Sequence, residues 1–362
     1  MKFAVTCGGT GGHVFPGVAA ATAIAEKGHD VALVLSGRSV EGTHPAGWEG
    51  TVIHVPCPPP RWRHPISAIA SAAHLTKACY RAFTAFRRFQ PDALLAMGSY
   101  TSVPTVIAAR LLRIPVVLHE ANAIPGAAIA KLRPLAHTVC IAFDEAATCF
   151  PPSTRTCNTG LPIRKSITEA KPKRDAASQR FTVLIMGGSQ GATAVNNAVI
   201  GAIQLLASDS AETPHFRFIH LAGKKNEVSV RNAYSDISSI PIEVIGFSEN
   251  IGELYAAADF SLSRAGAASC FELRLCGLPA ALIPLPTAAR NHQMANARAM
   301  ERLGGCEVIP QSTLTPESLA DYLRAIRRDE FKRTAMHHAL CKIAKPDAAE
   351  ALADCVIACA AM

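Results

Sequence analysis

Several features that mark common protein classes are missing from this 362-residue sequence. It has no run of 18 uninterrupted apolar residues, and three prolines break its most apolar region, residues 276–289, so we expect no membrane-spanning helix. Aromatic residues make up only 6% and charged residues only 18% of the chain, whereas 49% is apolar. This composition is typical of an alanine-rich globular protein and excludes a mainly disordered one.

None of the 12 cysteines belongs to a Cys-x-x-Cys pair. They are scattered through apolar and alanine-rich segments, and Met1 to Val5 run into a glycine-rich turn without a secretory signal. We therefore interpret the cysteines as reduced, small core residues of a cytosolic protein rather than as a disulfide framework.

Two glycine-rich loops follow apolar strands but lack the marks of the common nucleotide-binding motifs. Gly8–His13 follows a strand predicted at residues 2–7, and Gly187–Ala192 follows one at 181–186, 179 residues further on. Neither loop carries the Gly-Lys-Ser/Thr of a P-loop or a dinucleotide G-x-G-x-x-G followed by an acidic residue, which disfavours ATPase and NAD chemistry. A glycine loop that opens a helix presents N–H groups to a phosphate or diphosphate; a tight turn without a ligand is the alternative.

The repeat of strand, glycine loop and helix predicts an α/β protein with two doubly wound parallel-sheet domains, in agreement with its length. The polar segment 166–180 is typical of a linker, and we place the hinge between residues 160 and 180. We expect domains at 1–162 and 163–344, with a C-terminal helix at about 345–362 that could pack back on the first. Further strands are predicted at 31–35, 93–97, 116–119, 216–221, 242–245, 260–263 and 280–283.

A third loop, Ser263–Glu272, lies between a predicted strand and a helix expected to begin near Ala267. Glu272 would lie more than one turn into that helix, where its carboxylate can accept two vicinal hydroxyls of a ribose. A favourable interaction with the helix dipole is the alternative role. Further on, residues 291–297 offer amides suited to sugar hydroxyls, although amides at helix starts are usually caps.

Seven motifs of this chain resemble, in sequence and in order, those of the MurG family of peptidoglycan glycosyltransferases, within glycosyltransferase family 28. They are Gly8–His13, Met97–Pro104, His119–Asn122 with Pro125-Gly126, Thr159–Arg164, Met186–Ala192, Arg264–Glu272 and Gln293–Ala297. The resemblance covers nearly the whole chain and implies the GT-B fold, with two Rossmann-like domains facing a central cleft. It also implies an inverting, metal-independent transfer of GlcNAc from UDP-GlcNAc to undecaprenyl-pyrophosphoryl-MurNAc-pentapeptide (lipid I), giving lipid II, without a cofactor.

The resemblance further implies roles for individual residues. In the second domain it implies that Glu272 binds the ribose and Gln293 the GlcNAc hydroxyls. It implies donor contacts from the first domain by Thr10, Gly11, Gly12 and Asn122, with the glycine loop also suited to the acceptor diphosphate and Tyr100 on the acceptor side. The remaining donor contacts that it implies are Arg164, Ser189, Ser248, Ala267, Ala268, Ser269, Cys270 and Phe271.

Three positions depart from the family pattern. Ser248 stands where the family usually has an aliphatic residue against the uracil, which leaves the uracil contact open. Ala121 and Ser99 stand where the family usually has Gln and Gly. Because the motif residues around them persist, we interpret the last two as local variation.

Displacement at an anomeric carbon needs a general base for the nucleophile and a stabilised leaving group. Arg164 and the N–H groups of the Ser189 loop can stabilise the departing UDP. His13 is the leading candidate for the base, because an imidazole titrates near neutrality and this one ends the first glycine loop. Glu120 is the second candidate, and a capping or diphosphate-binding role is the alternative for His13.

The stretch between Glu49 and Asp92 contains no acidic residue. Lys77, Arg81 and Arg88 would fall within about 40° of one another on a helix, beside apolar residues at helical spacing (66, 69, 73, 80, 83 and 86). A basic face beside apolar residues suits anionic lipid, and because the acceptor implied by the resemblance is lipid-anchored, we expect peripheral attachment at the cytoplasmic face of the bacterial inner membrane; a helix packed on the first domain with a solvated basic edge is the alternative. The other basic residues are Arg61, Arg63 and Arg87, with Trp62 between the first two.

The net charge of +8 indicates an anionic partner. Residues 1–160 hold 14 basic and 8 acidic side chains, and residues 161–362 hold 22 and 20, so the excess lies mainly in the first half. Expected partners are UDP-GlcNAc, lipid I, the anionic membrane surface and proteins of cell-wall or division complexes; no motif supports nucleic-acid binding. Alternative functions are a UDP-GlcNAc 2-epimerase-like enzyme and a non-catalytic sugar-nucleotide-binding cell-wall scaffold.

Overall fold

A computed structural model describes residues 1–9, 11–37, 47–59, 64–169, 180–187 and 192–361. The chain divides into two compact units. Unit 1 comprises Met1–Arg164 and Pro346–Met362, and unit 2 comprises Lys165–Lys345. The polypeptide therefore leaves unit 1 once and returns to it for its last segment.

Unit 1 is built on a parallel sheet, which has seven strands within the described ranges, in the order β3-β2-β1-β4-β5-β6-β7. The strands are β1 (Lys2–Thr6), β2 (Asp30–Leu35), β3 (Thr51–His54), β4 (Ala93–Ala96), β5 (Val116–Glu120), β6 (Thr138–Ile141) and β7 (Thr156–Asn158). The helices are α1 (Gly11–Glu26), α2 (Pro65–Phe89), α3 (Ser102–Leu111), α4 (Ala127–Leu132) and α5 (Glu145–Thr148), with α14 (Ala348–Ala360) contributed by the last segment.

The sheet of unit 1 is covered on both faces. Strands such as β4 and β5 are buried along their whole length, as expected of parallel strands with helices on either side. Side chains of alternating residues enter two cores: Phe3 and Val5 pack with α1 and α14, and Ala4 packs with α2 and α3. The last helix thus completes one of the two faces of the sheet.

Unit 2 repeats this plan, with six parallel strands among the residues described and the order β10-β9-β8-β11-β12-β13. Its strands are β8 (Phe181–Met186), β9 (Phe216–Leu221), β10 (Ile242–Ile245), β11 (Phe260–Ser263), β12 (Ala280–Leu282) and β13 (Cys306–Val308). Its helices are α6 (Lys165–Thr168), α7 (Thr193–Ala207), α8 (Glu227–Ala233), α9 (Ile251–Ala257), α10 (Ala267–Cys276), α11 (His292–Arg302), α12 (Pro316–Arg328) and α13 (Glu330–Ile343). The predicted α/β class with two doubly wound parallel sheets is confirmed.

Each sheet has one point at which the strand order reverses. In unit 1 this point lies between β1 and β4, and in unit 2 it lies between β8 and β11. Loops at the carboxyl ends of strands diverge at such a point and leave a crevice, where ligands of doubly wound folds bind. We therefore expect the site at the loops that follow β1, β4, β8 and β11.

The expectation that the cysteines are core residues is confirmed for the six that are buried and is wrong for Cys149, Cys157 and Cys341, which are exposed. The first lies at the end of the short helix α5, the second on the edge strand β7 and the third on α13. Cys149 and Cys341 follow alanine-containing segments that resemble core sequence, whereas Cys157 lies among polar residues. Within the part of the chain that the structure describes, no helix is long and apolar enough to cross a bilayer.

Candidate functional site

In unit 1, two loops converge on His13 at the point where the strand order reverses. His13 is half-buried in the first turn of α1, and a Cβ atom on Gly98, just after β4, would lie 3.6 Å from its Cδ2 and Nε2 atoms. Thr101 Oγ1 donates a hydrogen bond to the carbonyl oxygen of Gly8 (3.0 Å), which joins the loop after β4 to the first glycine loop. The structure thus places His13 beside the Gly98–Tyr100 loop.

The start of α1 is a helix N-terminus, the kind of site at which the sequence analysis predicted an anion. Gly11 and Gly12 form its first two residues, and N–H groups in the first turn of a helix have no acceptor within the helix. Tyr100 is half-buried in the neighbouring loop. Thr10, predicted as a donor contact, lies outside the described residues.

Ser99 has a backbone φ of 66°, in the region that glycine adopts most readily. Gly9 is close by, since a Cβ atom there would lie 2.6 Å from Ser99 Oγ. This backbone conformation is more favourable for glycine than for serine, which explains why the family usually has glycine at this position. Ala121, the other departure in unit 1, is buried.

Glu120 fixes the loop after β5. One carboxylate oxygen accepts hydrogen bonds from the backbone N–H of Asn122 (2.8 Å) and from its side-chain amide (3.0 Å), and the other accepts from the N–H of Gly126 (2.7 Å). With three N–H donors already bound, this buried carboxylate positions Asn122 and is poorly placed to remove a substrate proton. The geometry favours His13 over Glu120 as the base.

His119, which precedes Glu120, is fully buried. Its Nε2 atom lies 2.8 Å from the carbonyl oxygen of Gly160, so Nε2 carries the proton. Burial lowers the pKa of His119 to about 4 against the opposing effect of this hydrogen bond, and the charge of His13 lowers it further. His119 is therefore neutral at pH 7 and joins the strand end to the segment that leads to Arg164.

Arg164 differs from its predicted place. The sequence analysis assigned it to the second domain, whereas the structure groups it with unit 1. Its guanidinium lies over the ring of Phe15 on α1, 4.1 Å from the ring centroid. This contact holds a cation next to the helix that carries His13, because an arginine packs favourably on an aromatic face.

In unit 2, the first turn of α10 lies at the point where the strand order reverses. The first bond that closes this helix runs from the N–H of Cys270 to the carbonyl oxygen of Gly266 (3.0 Å). The N–H groups of Ala267, Ala268 and Ser269 therefore have no acceptor within the helix, and these residues are half-exposed. Cys270 and Phe271 are buried, so their side chains support the turn from inside.

Glu272 is held by a residue that the sequence analysis missed. The hydroxyl of Tyr255, on α9, donates a 2.7 Å hydrogen bond to Glu272 Oε2. Tyr255 is almost fully buried, and a tyrosine in an apolar helix carries no sequence signal that separates it from a core residue. The structure makes it the partner that orients the predicted ribose-binding carboxylate.

Gln293 is also oriented by a hydrogen bond. Its Oε1 atom accepts from the N–H of Leu285 (2.9 Å) in the loop after β12, which leaves the amide Nε2 as the group able to donate to a ligand. Two buried side chains fix the neighbouring loops: Arg264 donates to the carbonyl oxygen of Ile283 (3.0 Å), and Asn296 donates to that of Ala265 (3.1 Å).

The remaining predicted donor contacts lie apart or outside the described ranges. Ser248 is half-buried in the loop after β10, the edge strand two places from β8, so it is not among the loops next to the reversal point. The adjacent Phe247 is partly exposed, with Lys224 Nζ 4.6 Å from its ring centroid. Ser189 lies outside the described residues. Among those described, no group of three or more His, Cys, Asp or Glu residues is arranged to hold a metal ion.

Comparison with known proteins shows the class of protein to which this chain belongs. The chain matches the glycosyltransferase family 28 N-terminal domain over residues 3–141 and the C-terminal domain over residues 182–352. The crystal structure of Acinetobacter baumannii MurG is similar to the whole chain, with a TM-score of 0.77, 27% identity and 99% coverage of both chains. The fold is thus the GT-B fold of glycosyltransferases.

Two proteins with similar sequences show which family of glycosyltransferases the chain belongs to. A Symbiobacterium thermophilum protein is 32% identical over 99% of this chain and 96% of its own length. A Myxococcus xanthus protein is 34% identical over 98% and 92%. Both are named UDP-N-acetylglucosamine--N-acetylmuramyl-(pentapeptide) pyrophosphoryl-undecaprenol N-acetylglucosamine transferase. The chain belongs to glycosyltransferase family 28.

Proposed function

We propose that this protein is an N-acetylglucosaminyltransferase that moves GlcNAc from UDP-GlcNAc to lipid I and so forms lipid II in peptidoglycan synthesis. The observation that carries the proposal is the agreement over the full chain with relatives that bear this activity in their names. Both reversal points of the sheets also carry helix starts suited to phosphate groups. A sugar nucleotide and a lipid diphosphate each bring such a group.

The donor binds on unit 2 in this proposal. The first-turn N–H groups of α10 face the diphosphate, and the charge that develops on the departing UDP is stabilised there. Glu272, oriented by Tyr255, accepts hydrogen bonds from the ribose hydroxyls. The amide of Gln293 donates to a GlcNAc hydroxyl. Ser248 occupies the position of the predicted uracil contact, and Ser189 and Arg164 stay predicted donor contacts.

The acceptor binds on unit 1, beside the glycine loop and Tyr100. His13 removes the proton of the attacking hydroxyl as the new bond to the anomeric carbon forms, which gives an inverted product in one displacement. Asn122, positioned by Glu120, contacts the sugar. Glu120 and His119 thus support the site through the loops they hold.

The direct test is transfer of labelled GlcNAc from UDP-GlcNAc to a lipid I analogue. We expect a labelled lipid II analogue with release of UDP. Formation of N-acetylmannosamine from UDP-GlcNAc alone would instead support the epimerase, and UDP binding without any transfer would support the scaffold.

Tyr255→Phe is expected to raise the KM for UDP-GlcNAc about tenfold, because a hydrogen bond to a charged group contributes roughly 1.5–3 kcal/mol and about 1.4 kcal/mol corresponds to a factor of ten. The kcat should change little, since the ribose is remote from the reacting carbon. Steady-state kinetics with varied donor measures this. Tyr322→Phe is a matched control, because Tyr322 donates an equal 2.7 Å hydrogen bond to Glu307 in the same unit; an equal effect of both variants would contradict the role of Tyr255.

We further propose that the protein attaches peripherally to the cytoplasmic face of the inner membrane through α2. This helix packs on unit 1 through Ala78, Ala82 and Phe86, while Ile69 and Tyr80 on its outer side are 71% and 69% exposed. At about 100° per residue these two side chains project within about 20° of each other. Exposed apolar side chains beside Lys77 and Arg81 suit an anionic lipid surface.

Reversing both charges, with Lys77→Glu and Arg81→Glu, is expected to weaken binding to vesicles containing anionic phospholipid by tenfold or more, since each basic residue near such a surface contributes about 1 kcal/mol. Co-sedimentation measures the bound fraction. Arg110→Glu with Lys131→Glu, at exposed positions outside α2, is the control. Equal binding of the unaltered protein to anionic and neutral vesicles would rule out this attachment.

Three further residues predicted to contact the membrane, Arg61, Trp62 and Arg63, lie outside the described residues. Association with cell-wall or division proteins stays a prediction.

A further inference from the structure

Four cysteines lie together where α14 covers the sheet of unit 1. Cys140 on β6 and Cys157 on β7 are register partners in a parallel pair, so their side chains project from the same face. Cys355 and Cys359 lie one turn apart on α14. Cys140 Sγ donates to Cys355 Sγ across a distance of 3.3 Å. The catalytic proposal uses none of these sulfur atoms.

The four thiols differ in access to solvent. Cys140 and Cys359 are buried, Cys355 is half-buried and Cys157 is exposed. A small oxidant can therefore reach Cys355 from the surface, while the Cys140 sulfur, 3.3 Å from it, is shielded. This arrangement provides an accessible thiol with a second thiol already in contact, which is what disulfide formation within one molecule needs.

The surroundings of Cys355 favour its thiolate form. The hydrogen bond from Cys140 lowers the pKa of Cys355 against the opposing effect of burial, and Cys157 and the Arg155 guanidinium lower it further. The same contact raises the pKa of Cys140, as does burial. Because the thiolate is the nucleophile, Cys355 is the first of the two to react.

We propose that Cys355 and Cys140 form a reversible oxidation site, at which a peroxide converts the two thiols into a disulfide that joins α14 to β6. In the first step the Cys355 sulfur attacks one peroxide oxygen, the O–O bond breaks, and a sulfenic acid and one water form. In the second step the Cys140 sulfur attacks the Cys355 sulfur, the S–O bond breaks, and a second water leaves with the Cys140 proton. Two thiols are oxidised and one peroxide is reduced to two waters.

The geometry allows this bond with a small movement. The two sulfur atoms must approach by about 1.3 Å to reach the usual S–S distance of about 2.05 Å. The bond would link positions 215 residues apart and fasten the last helix to the strand next to β5. Thiol reductants reverse such a bond by exchange.

The test uses the full chain, first reduced and freed of reductant. Treatment with a few equivalents of hydrogen peroxide should give a species lighter by about 2 Da, the mass of two hydrogens, and subsequent alkylation should modify two thiols fewer than in the reduced protein. Peptide mapping should show a Cys140–Cys355 link, and dithiothreitol should remove it. The Tm of the oxidised protein should rise by several degrees, since a long-range disulfide restricts the unfolded chain.

Three variants test the assignment. Cys355→Ser should abolish the link at the same dose, and Cys149→Ser, which removes an exposed cysteine of the same unit, should leave it unchanged. Cys140→Ser should leave Cys355 as a sulfenic acid that dimedone traps. In the unsubstituted protein, whose folding is not at issue, Cys355 should react before Cys149 and Cys341. Faster oxidation of either of those two, or a Cys355–Cys157 link instead, would overturn the proposal.

Discussion

His13→Ala is expected to lower kcat for transfer by roughly 10²–10⁴-fold, the usual contribution of a general base, while the KM for UDP-GlcNAc changes little. The structure supports this by placing His13 beside Gly98 at the reversal point of the unit 1 sheet, with Glu120 engaged by three N–H donors. Steady-state kinetics with labelled donor and a lipid I analogue measure both constants.

His29→Ala is the matched control for this variant. His29 lies in the same unit just before β2, at the amino ends of the strands, whereas His13 lies near their carboxyl ends. The ring of His29 packs on Phe3. We expect near-normal kcat for this control. If His13→Ala instead kept its kcat and only raised KM, His13 would be a binding residue for the diphosphate and the base would have to be sought elsewhere.

Leu352→Ala is expected to lower the free energy of unfolding of unit 1 by about 2–5 kcal/mol, the range for large-to-small changes in a packed core. Leu352 is fully buried on α14 in the cluster that contains Val5, Leu33 and Trp48. The loss is large because this side chain is fully buried between α14 and the sheet. At roughly 2–4 °C per kcal/mol, we expect the Tm of unit 1 to fall by about 10 °C.

Tryptophan fluorescence isolates this effect. Both tryptophans of the chain, residues 48 and 62, belong to unit 1, so their emission during urea unfolding reports that unit. Ala358→Ser, on the exposed side of the same helix, should leave the midpoint unchanged. An unchanged midpoint for Leu352→Ala would show that α14 contributes little to the core of unit 1.

The strands that were predicted carry apolar residues either in nearly continuous runs or at alternate positions. The predicted segments 181–186, 216–221, 242–245 and 260–263 coincide with β8 to β11. The strands that the sequence did not reveal, β3, β6, β7 and β13, are three or four residues long, and three of them lie at sheet edges. Such strands mix polar with apolar residues, so they have no run that separates them from loops.

The candidate site was predictable where glycines and helix starts mark it and hidden where side chains from distant segments meet. The start of α10 at Ala267 follows from its sequence, since Gly266 precedes a helical pattern. The Tyr255 hydrogen bond to Glu272 joins two helices, and the packing of Arg164 on Phe15 joins residues about 150 positions apart. Local patterns carry no information on such pairs, because they depend on how the elements pack.

The return of the last segment to unit 1 reverses the usual order of folding during synthesis. Domains commonly fold as they emerge, the N-terminal one first. Here the first 164 residues leave the ribosome without α14, which covers one face of their sheet. Unit 2 has all of its residues once Lys345 has been made, whereas unit 1 must wait for Leu352 and Val356. The half that is translated first is thus the last to complete its core.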